Sequence, residues 1–574
     1  MKSHWKIKSI DKSEHIPQLS SELGISEIVA KILTLRGVDS FEKAKNFFRP
    51  DLNRLHSPFL MKDMDLAVPR ILKAIEKNEK IAIYGDYDVD GTTSVSFMYL
   101  FLSQFTTNLI TYIPDRYSEG YGISRKGVAL LAAEECGLMI ALDCGIQAID
   151  QATYAKQLGM DLIICDHHLP GDTMPDALAV LDPKRSDCTY PFKELSGCGI
   201  GFKLACGLLE SAGESIDKAL QFIDLVAISL ACDIVPLVGE NRILVKKGLE
   251  AINSKPRKAI AMLLGQKKSR VVVSDLVFQV GPKINAAGRL KHGSLAVDLL
   301  ISKDEKFIEN QASEVIQHNE DRKETDKETT GEALQLIIDS NEQDDAATVV
   351  LKEGWHKGVI GIVASRLQDQ YYRPTIVLTE VDGKITGSAR SVKGFDVHHA
   401  LQECASYLEQ FGGHKYAAGM SILPEKFEAF KKKFNEVVGE TLPFDHSERP
   451  LEIDSTIEME DFQFDGSPLP KLYRIVKQME PFGPANMKPT FMMKDVVDSG
   501  HSKIIGSDQS HLRLSIYNEF LNDSITGVAF NMAHCFEHIS SGKPFNVVFT
   551  LEENVWRGKS SFQLMVKDIS YLVE

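Results

Sequence analysis

The sequence predicts a multidomain α/β protein: a parallel-sheet domain, a long connecting helix, a second α/β unit and a C-terminal antiparallel β-barrel. Three observations carry this expectation. The chain has 574 residues, more than one hydrophobic core supports, so about three or four domains are expected. From Lys80 onward strand-like apolar runs alternate with helical stretches, the pattern of a parallel sheet covered by helices. After Pro450 the pattern becomes short strands separated by turns.

Taken in order, residues 1–75 form an N-terminal extension expected to pack on the core, and 76–307 form the first domain. Within it IAIYG (81–85), LMIALD (138–143) and DLIICD (161–166) each end in, or run into, an acidic residue. Ligands of parallel sheets sit beyond the carboxyl ends of the strands, so these acids fall where chemistry is expected. Residues 308–340 are polar, rich in Gln and Glu, and helical in period, which predicts a helix separating two lobes. Residues 341–442 set the strand-like ATVVL, IVLTE and KITGSAR around the helical IGIVASRLQDQY. Residues 450–574 contain LEIDSTIE, HLRLSIYN, SITGVAFN, FNVVFTLE and SFQLMVKDIS, the strands of a small barrel.

Composition narrows the class. With 43% hydrophobic and 25% charged residues the chain is globular, not disordered or fibrous. No stretch has the apolar length of a signal peptide or a membrane span, so a cytoplasmic protein without membrane attachment is expected. The nine Cys include no CxxC pair, which argues against a zinc ribbon or a disulfide framework. A net charge of −15 weighs against wrapping nucleic acid over the whole surface, but not against a local basic groove. One candidate is the run Lys246, Lys247, Lys255, Arg257, Lys258, Lys267, Lys268 and Arg270; the alternative is a solvated helical face.

The sharpest local signal is Gly85-Asp86-Tyr87-Asp88-Val89-Asp90-Gly91, between a strand and a helix. Acids alternating at a strand end repel one another unless a cation binds, and Mg²⁺ or Mn²⁺ prefers carboxylate oxygen. Asp143 ends the next strand, and Asp166-His167-His168 ends the one after. Asp233 follows the apolar helix FIDLVAISL, just before Pro236. Jointly, Asp88, Asp90, Asp143, His167 and Asp233 offer ligands for two ions sharing a carboxylate, the arrangement for phosphoester hydrolysis. His168 is expected to contact substrate or to hold a ligand.

In that order GDYDVDG, DCG, the DHH tripeptide and CDIVPL resemble the DHH phosphoesterase superfamily, and within it the bacterial single-strand-specific exonucleases. The resemblance spans nearly the whole chain, including YIPDRYSEGYG (112–122), GPKINAAGRL (281–290), WHKGVIGIVASRL (355–367), GSARS (387–391) and FGGHKYAAGM (411–420). It implies a DHH domain holding two Mn²⁺ or Mg²⁺ ions, a DHHA1 domain gripping substrate phosphates, and an oligonucleotide-binding (OB) barrel. In the matching motifs, Ser388, Arg390, Gly413 and His414 fall in the grip, with Asn285 and Arg289 from the GPKINAAGR loop. Asp86 stands where many relatives have a metal-binding His, and Lys283 where an arginine is common. The resemblance further implies 5′-to-3′ removal of nucleotides from single-stranded DNA in repair and recombination. A single-strand-binding protein and a RecQ-type helicase are the implied partners, and a monomer is the simpler state. Tyr121, Trp355, Phe482 and Trp556 are candidate stacking platforms against packing roles. The alternatives are a DHH phosphodiesterase for short oligonucleotides or cyclic dinucleotides, and a noncatalytic scaffold.

Overall fold

The computed structural model describes residues 2–10, 13–265, 270–381, 383–442, 448–519, 523–556 and 559–571. The first lobe is built on five parallel strands in the order Leu109–Tyr112, Lys80–Gly85, Cys136–Leu142, Asp161–Cys165, Ala179–Leu181. These strands read as near-continuous apolar runs because both faces are covered. Ile81, Ile83, Leu138, Ile140 and Ile163 face one layer, with helices Val89–Leu102, Gly197–Ala212 and Ile223–Cys232. Ala82, Tyr84, Met139, Ala141 and Ile164 face the other, with Arg125–Ala133 and Ile149–Gln157. Successive side chains alternate between the two faces, so each strand feeds both cores.

A helix of 35 residues, Glu305–Asp339, leads out of this lobe, started by Asp304, whose carboxylate accepts from the Lys306 and Phe307 N–H groups. At 1.5 Å per residue it spans about 52 Å. The second lobe is a mixed sheet in the order Leu408–His414, Ala417–Ile422, Lys384–Arg390, Thr375–Val381, Thr348–Leu351, whose last pair alone is parallel. Helix Lys357–Tyr371 packs on one face, together with Ala333 and Ile337 of the long helix. Phe430, Phe434 and Val438 of Phe427–Thr441 pack on the other.

The third sheet runs in the order Ser455–Thr456, Phe491–Val496, Phe545–Trp556, Lys559–Ser570, Asp523–Ala529, His511–Asn518, Lys503–Ile505. It is antiparallel except for two parallel pairs, Ser455–Thr456 with Phe491–Val496 and Asp523–Ala529 with Lys559–Ser570.

The N-terminal extension does not pack on the core as one piece. Strand Lys2–Ile7 pairs with Glu448–Ile453, and helices His15–Leu23, Glu27–Thr34 and Phe41–Phe48 bury Leu19, Val29, Leu33 and Phe47 in the apolar cluster of the third sheet. From Leu55 on, with helix Met64–Glu76, the segment joins the first lobe. An amphipathic helix states that it needs a partner and not which one, so the sequence pattern left this open.

One further expectation is corrected. GPKINAAGR is not a loop: Gly281–Leu290 is a helix, with Pro282 in its first turn where a missing N–H costs nothing. Four residues of the basic run are paired: Lys247 with Glu250 of its own helix, and Arg257 with Asp224, Lys258 with Glu305 and Glu309, and Arg270 with Glu480 from other elements. Lys267 and Lys268 lie outside the described residues.

Candidate active site

The GDYDVDG turn is held by close backbone approach. A Cβ on Gly91 would lie 2.3 Å from the Asp86 carbonyl oxygen, and one on Gly85 2.8 Å from the Gly91 carbonyl oxygen. Only glycine fits at either position. Asp88 then caps helix Val89–Leu102, accepting from Gly91 N–H at 3.1 Å. Asp90, in the first turn, turns inward to the start of helix Gly197–Ala212. Its carboxylate accepts from Gly197 N–H at 2.6 Å, Cys198 N–H at 2.9 Å, Ser229 Oγ at 2.6 Å and Ser94 Oγ at 3.2 Å. A helix N-terminus is a natural cradle for this charge.

Asp143 leaves its strand at φ +60°, a left-handed conformation unusual for a residue other than glycine. The N-terminus of Gly197–Ala212 presses on it so closely that a Cβ on Gly197 would meet the Asp143 Cβ at 2.5 Å. Asp233 ends helix Ile223–Cys232, and Ile234 after it has φ +60°. A β-branched residue there is strained, and such strain collects at functional sites.

His167 joins these elements. Its Nε2 lies 3.2 Å from Asp143 Oδ1, 3.5 Å from Asp233 Oδ2 and 3.9 Å from Asp90 Oδ2. Burial pushes its imidazole down to about 4, so the ring is neutral and able to ligate. Asp166 faces away from this cluster. It accepts from Ile146 N–H at 2.8 Å, His167 N–H at 2.8 Å, His168 N–H at 3.2 Å and His168 Nδ1 at 2.7 Å. Although burial opposes ionisation, the bond and charge of His168 hold the Asp166 carboxyl below its ordinary value. The same pairing, against burial, raises the His168 imidazole.

The donor set fits divalent cations. Burial and then mutual repulsion raise the Asp86, Asp88, Asp143 and Asp233 carboxyls. Asp143 Oδ1, Asp233 Oδ2 and both His167 ring nitrogens are buried without hydrogen-bond partners, which is costly unless something else completes them. Among the described residues, ligand atoms of Asp90, His167 and Asp233, and of Asp143, His167 and His168, lie within 4.8 Å of one another. Asp86 belongs to neither group, and both its oxygens are buried without a partner.

In the second lobe Arg390 donates to Ser388 Oγ at 2.9 Å, and Arg289, from helix Gly281–Leu290 of the first, reaches over to donate to the Gly358 carbonyl at 2.9 Å. Burial, then repulsion from Arg116, Arg322 and Arg390, pushes the Arg289 guanidinium down to about 10. His414 is lowered by burial and by Arg390, His168 and His398. Gly413, at φ +143°, has no room for a Cβ, which would sit 2.4 Å from the Ala417 carbonyl oxygen. Asn285 is half-buried one turn before Arg289. Lys283 instead donates to the Leu263 carbonyl, away from the cleft.

Of the stacking candidates, Tyr121 is exposed and its hydroxyl sits 3.2 Å from His168 Nε2. Trp355 is core, its indole N–H donating to Glu332. Phe482, with Ile234, Phe278 and Met487, lines an apolar cavity of about 710 Å³ beside Asp233. The Trp556 side chain lies outside the described residues.

Sequence reasoning missed the Ser94, Ser229 and Gly197 donors around Asp90, and Arg322 on the long helix. It also missed Asp182, fully buried with Oδ2 unpartnered and pushed by burial up to about 7. SGCGIG after a polar loop hints at a helix start, but nothing local says that Asp90 is its ligand.

Carboxylates and an imidazole at the carboxyl edge of a parallel sheet, with Arg289 and Arg390 beside them, define a metal-ion phosphoesterase of the DHH class. Family models match the DHH family, N-terminal domain over residues 80–230, the DHHA1 domain over 343–440 and the RecJ OB domain over 453–568. The single-stranded-DNA-specific exonuclease RecJ of Bacillus subtilis is 38% identical over 99% of this chain and 71% of its own length. The protein of the same name from Dickeya dadantii is 30% identical over 96% of this chain and 98% of its own. The fold matches that of RecJ from Thermus thermophilus in complex with Mn²⁺ with a TM-score of 0.83 at 24% identity, over 100% of this chain and 80% of that one. The chain belongs to the RecJ family.

Proposed function

We propose that this protein is a divalent-metal-dependent exonuclease that hydrolyses single-stranded DNA, releasing nucleotides from the 5′ end. The observation that carries this is the convergence of Asp90, Asp143, His167 and Asp233 on one point, opposite a lobe presenting Arg390, Ser388 and His414. Two Mn²⁺ or Mg²⁺ ions, held by Asp88, Asp90, Asp143, His167 and Asp233, would supply Lewis-acid charge and an acidified water. Polarity, repair and recombination come from the family resemblance.

The chain's own residues do the rest. Four donors fix the Asp90 carboxylate, so it needs no reorganisation on binding. Asp166 accepts from His168 Nδ1 and favours the protonated ring, whose Nε2–H can then donate to a phosphate oxygen. Arg289 and Arg390 offer planar donors to the backbone, with Ser388, Asn285, His414 and the Gly413 turn beside them. Bases have the apolar surface of Ile234, Phe278 and Phe482 to lie on, and Tyr121 borders the entrance.

We assign residues 76–307 to catalysis, 341–442 to the phosphate grip and 450–574 to strand binding, with 308–340 linking the lobes. The protein acts as a monomer in the cytoplasm, with a single-strand-binding protein and a RecQ-type helicase as partners. Among the described residues no helix is long and apolar enough to cross a membrane. A time course of Mn²⁺-dependent digestion tests the reading, on strands labelled at either end, beside blunt duplex and Asp143→Ala. Stepwise loss from the 5′ end, absent on duplex and in the variant, is expected. Hydrolysis of dinucleotides alone would favour a short-oligonucleotide enzyme, and no hydrolysis of either a scaffold.

A further inference from the structure

Strand Ala179–Leu181 lies beside the strand whose tip bears His167, Leu181 pairing with Cys165. Its continuation, Asp182-Pro183-Lys184-Arg185, therefore leaves the sheet at the same carboxyl edge. The turn is pinned on both sides of Lys184. Asp182 Oδ1 accepts the Lys184 N–H at 2.7 Å, and Arg185 donates to Asp63 at 2.6 Å, to the Val180 carbonyl at 2.7 Å and to both oxygens of Asp187. The Lys184 side chain alone is uncommitted: it is half-buried, yet among the described residues its ammonium makes no ion pair or hydrogen bond. Lys184 lies three residues beyond Leu181, as His167 lies two beyond the paired Cys165, so the two leave the sheet at one edge.

A lysine among acids ordinarily pairs with one of them. This one is held by its backbone at the rim of an acidic site and left free, which is the state of a cation awaiting an anion. We infer that Lys184 is a further substrate-contacting residue, its ammonium binding a non-bridging oxygen of the scissile phosphodiester. As water adds to phosphorus and the bond to the leaving sugar oxygen breaks, that oxygen taking a proton from solvent, Lys184 offsets the charge building on the phosphate. The inference rests on the phosphodiester-hydrolase reading above.

The test compares wild type, Lys184→Ala, Lys184→Gln and Lys184→Arg, all saturated with Mn²⁺, on 5′-labelled single strands. The Ala and Gln variants should lose about 100-fold in kcat, with Tm and Mn²⁺ affinity, read by electron paramagnetic resonance, unchanged. Lys184→Arg should recover most of the loss. With sulfur replacing one non-bridging oxygen of the first linkage, the ratio of wild type to Lys184→Ala should shrink for one diastereomer only. Wild-type kcat in Lys184→Ala, a loss that tracks weaker Mn²⁺ binding, or equal ratios for both diastereomers would overturn the assignment. A wild type that cleaves no DNA would instead overturn the hydrolase reading, and that result is seen without any variant.

Discussion

Replacing Asp182 with Asn should stabilise the protein, and only above mildly acidic pH. Burial raises this carboxyl from 3.8 to about 7. In the unfolded chain it ionises near pH 4, so between there and pH 7 the folded state binds the extra proton and stability falls as pH rises. Below that window the group costs nothing; above it the full penalty is present. About three pKa units correspond to about 4 kcal/mol, an upper bound because surroundings relax around a buried charge. Asn keeps the oxygen that accepts the Lys184 N–H and mimics the protonated acid. The two proteins should therefore melt alike near pH 4 and diverge through the window to a constant gap above about pH 7.5. At about 2–4 °C per kcal/mol the gap is several degrees. Thermal melts across pH in metal-free buffer measure it, and a gap that does not change with pH would refute the reasoning.

Asp143→Asn removes one charge from a cluster of mutually repelling carboxylates, so the metal-free protein should melt higher, while the Mn²⁺-induced rise in Tm disappears and hydrolysis falls about a thousandfold or more. Asp166→Asn takes the anion from behind His168: kcat should fall about 10–100-fold, and the alkaline limb of the pH–rate profile should move to lower pH, because the His168 imidazole is no longer held up. Ser229→Ala deletes a 2.6 Å donor to Asp90 and should cost about 1–3 kcal/mol in denaturant unfolding. Gly91→Ala forces a Cβ onto the Asp86 carbonyl oxygen at 2.3 Å, and loss of both Mn²⁺ binding and activity is expected where Gly120→Ala, a change of glycine outside the packed turn, should retain Mn²⁺ binding.

The parallel sheet was legible because its strands are short apolar runs ending in acids; of the acids at the tips Asp143 joins the cluster around His167, where Asp90 and Asp233 arrive from helix ends. The long helix was legible from period and polarity, beginning at Glu305, three residues before the expected start. What escaped was set by contacts distant in sequence. Asp90 reads as one of three similar acids in a turn, yet its function depends on Gly197 and Ser229, more than 100 positions away. Asp166, the first residue of the DHH tripeptide, carries no role in the sequence pattern, because its bonds to Ile146 N–H and the His168 ring appear only in the fold. The resemblance gave GPKINAAGR as a loop, but a Cβ on Gly288 would lie 2.7 Å from the Tyr87 carbonyl oxygen, so that glycine lets a helix rest on the metal turn. The row of lysines and arginines fitted a groove or a solvated face equally, because Asp224, Glu305, Glu309 and Glu480, which pair with three of them, sit on other elements.

The shared core of the N-terminal helices and the third sheet has a consequence for synthesis. Phe47 and Ile457 belong to one apolar cluster but are separated by about 410 residues. At about 5–20 residues per second the ribosome takes roughly 20–80 s to cover that distance. Throughout that interval Leu19, Val29, Leu33 and Phe47 have been made and their partners have not, while both lobes between them can fold. The growing polypeptide thus carries an unpartnered apolar segment, a natural client for a holding chaperone, until the third sheet is made.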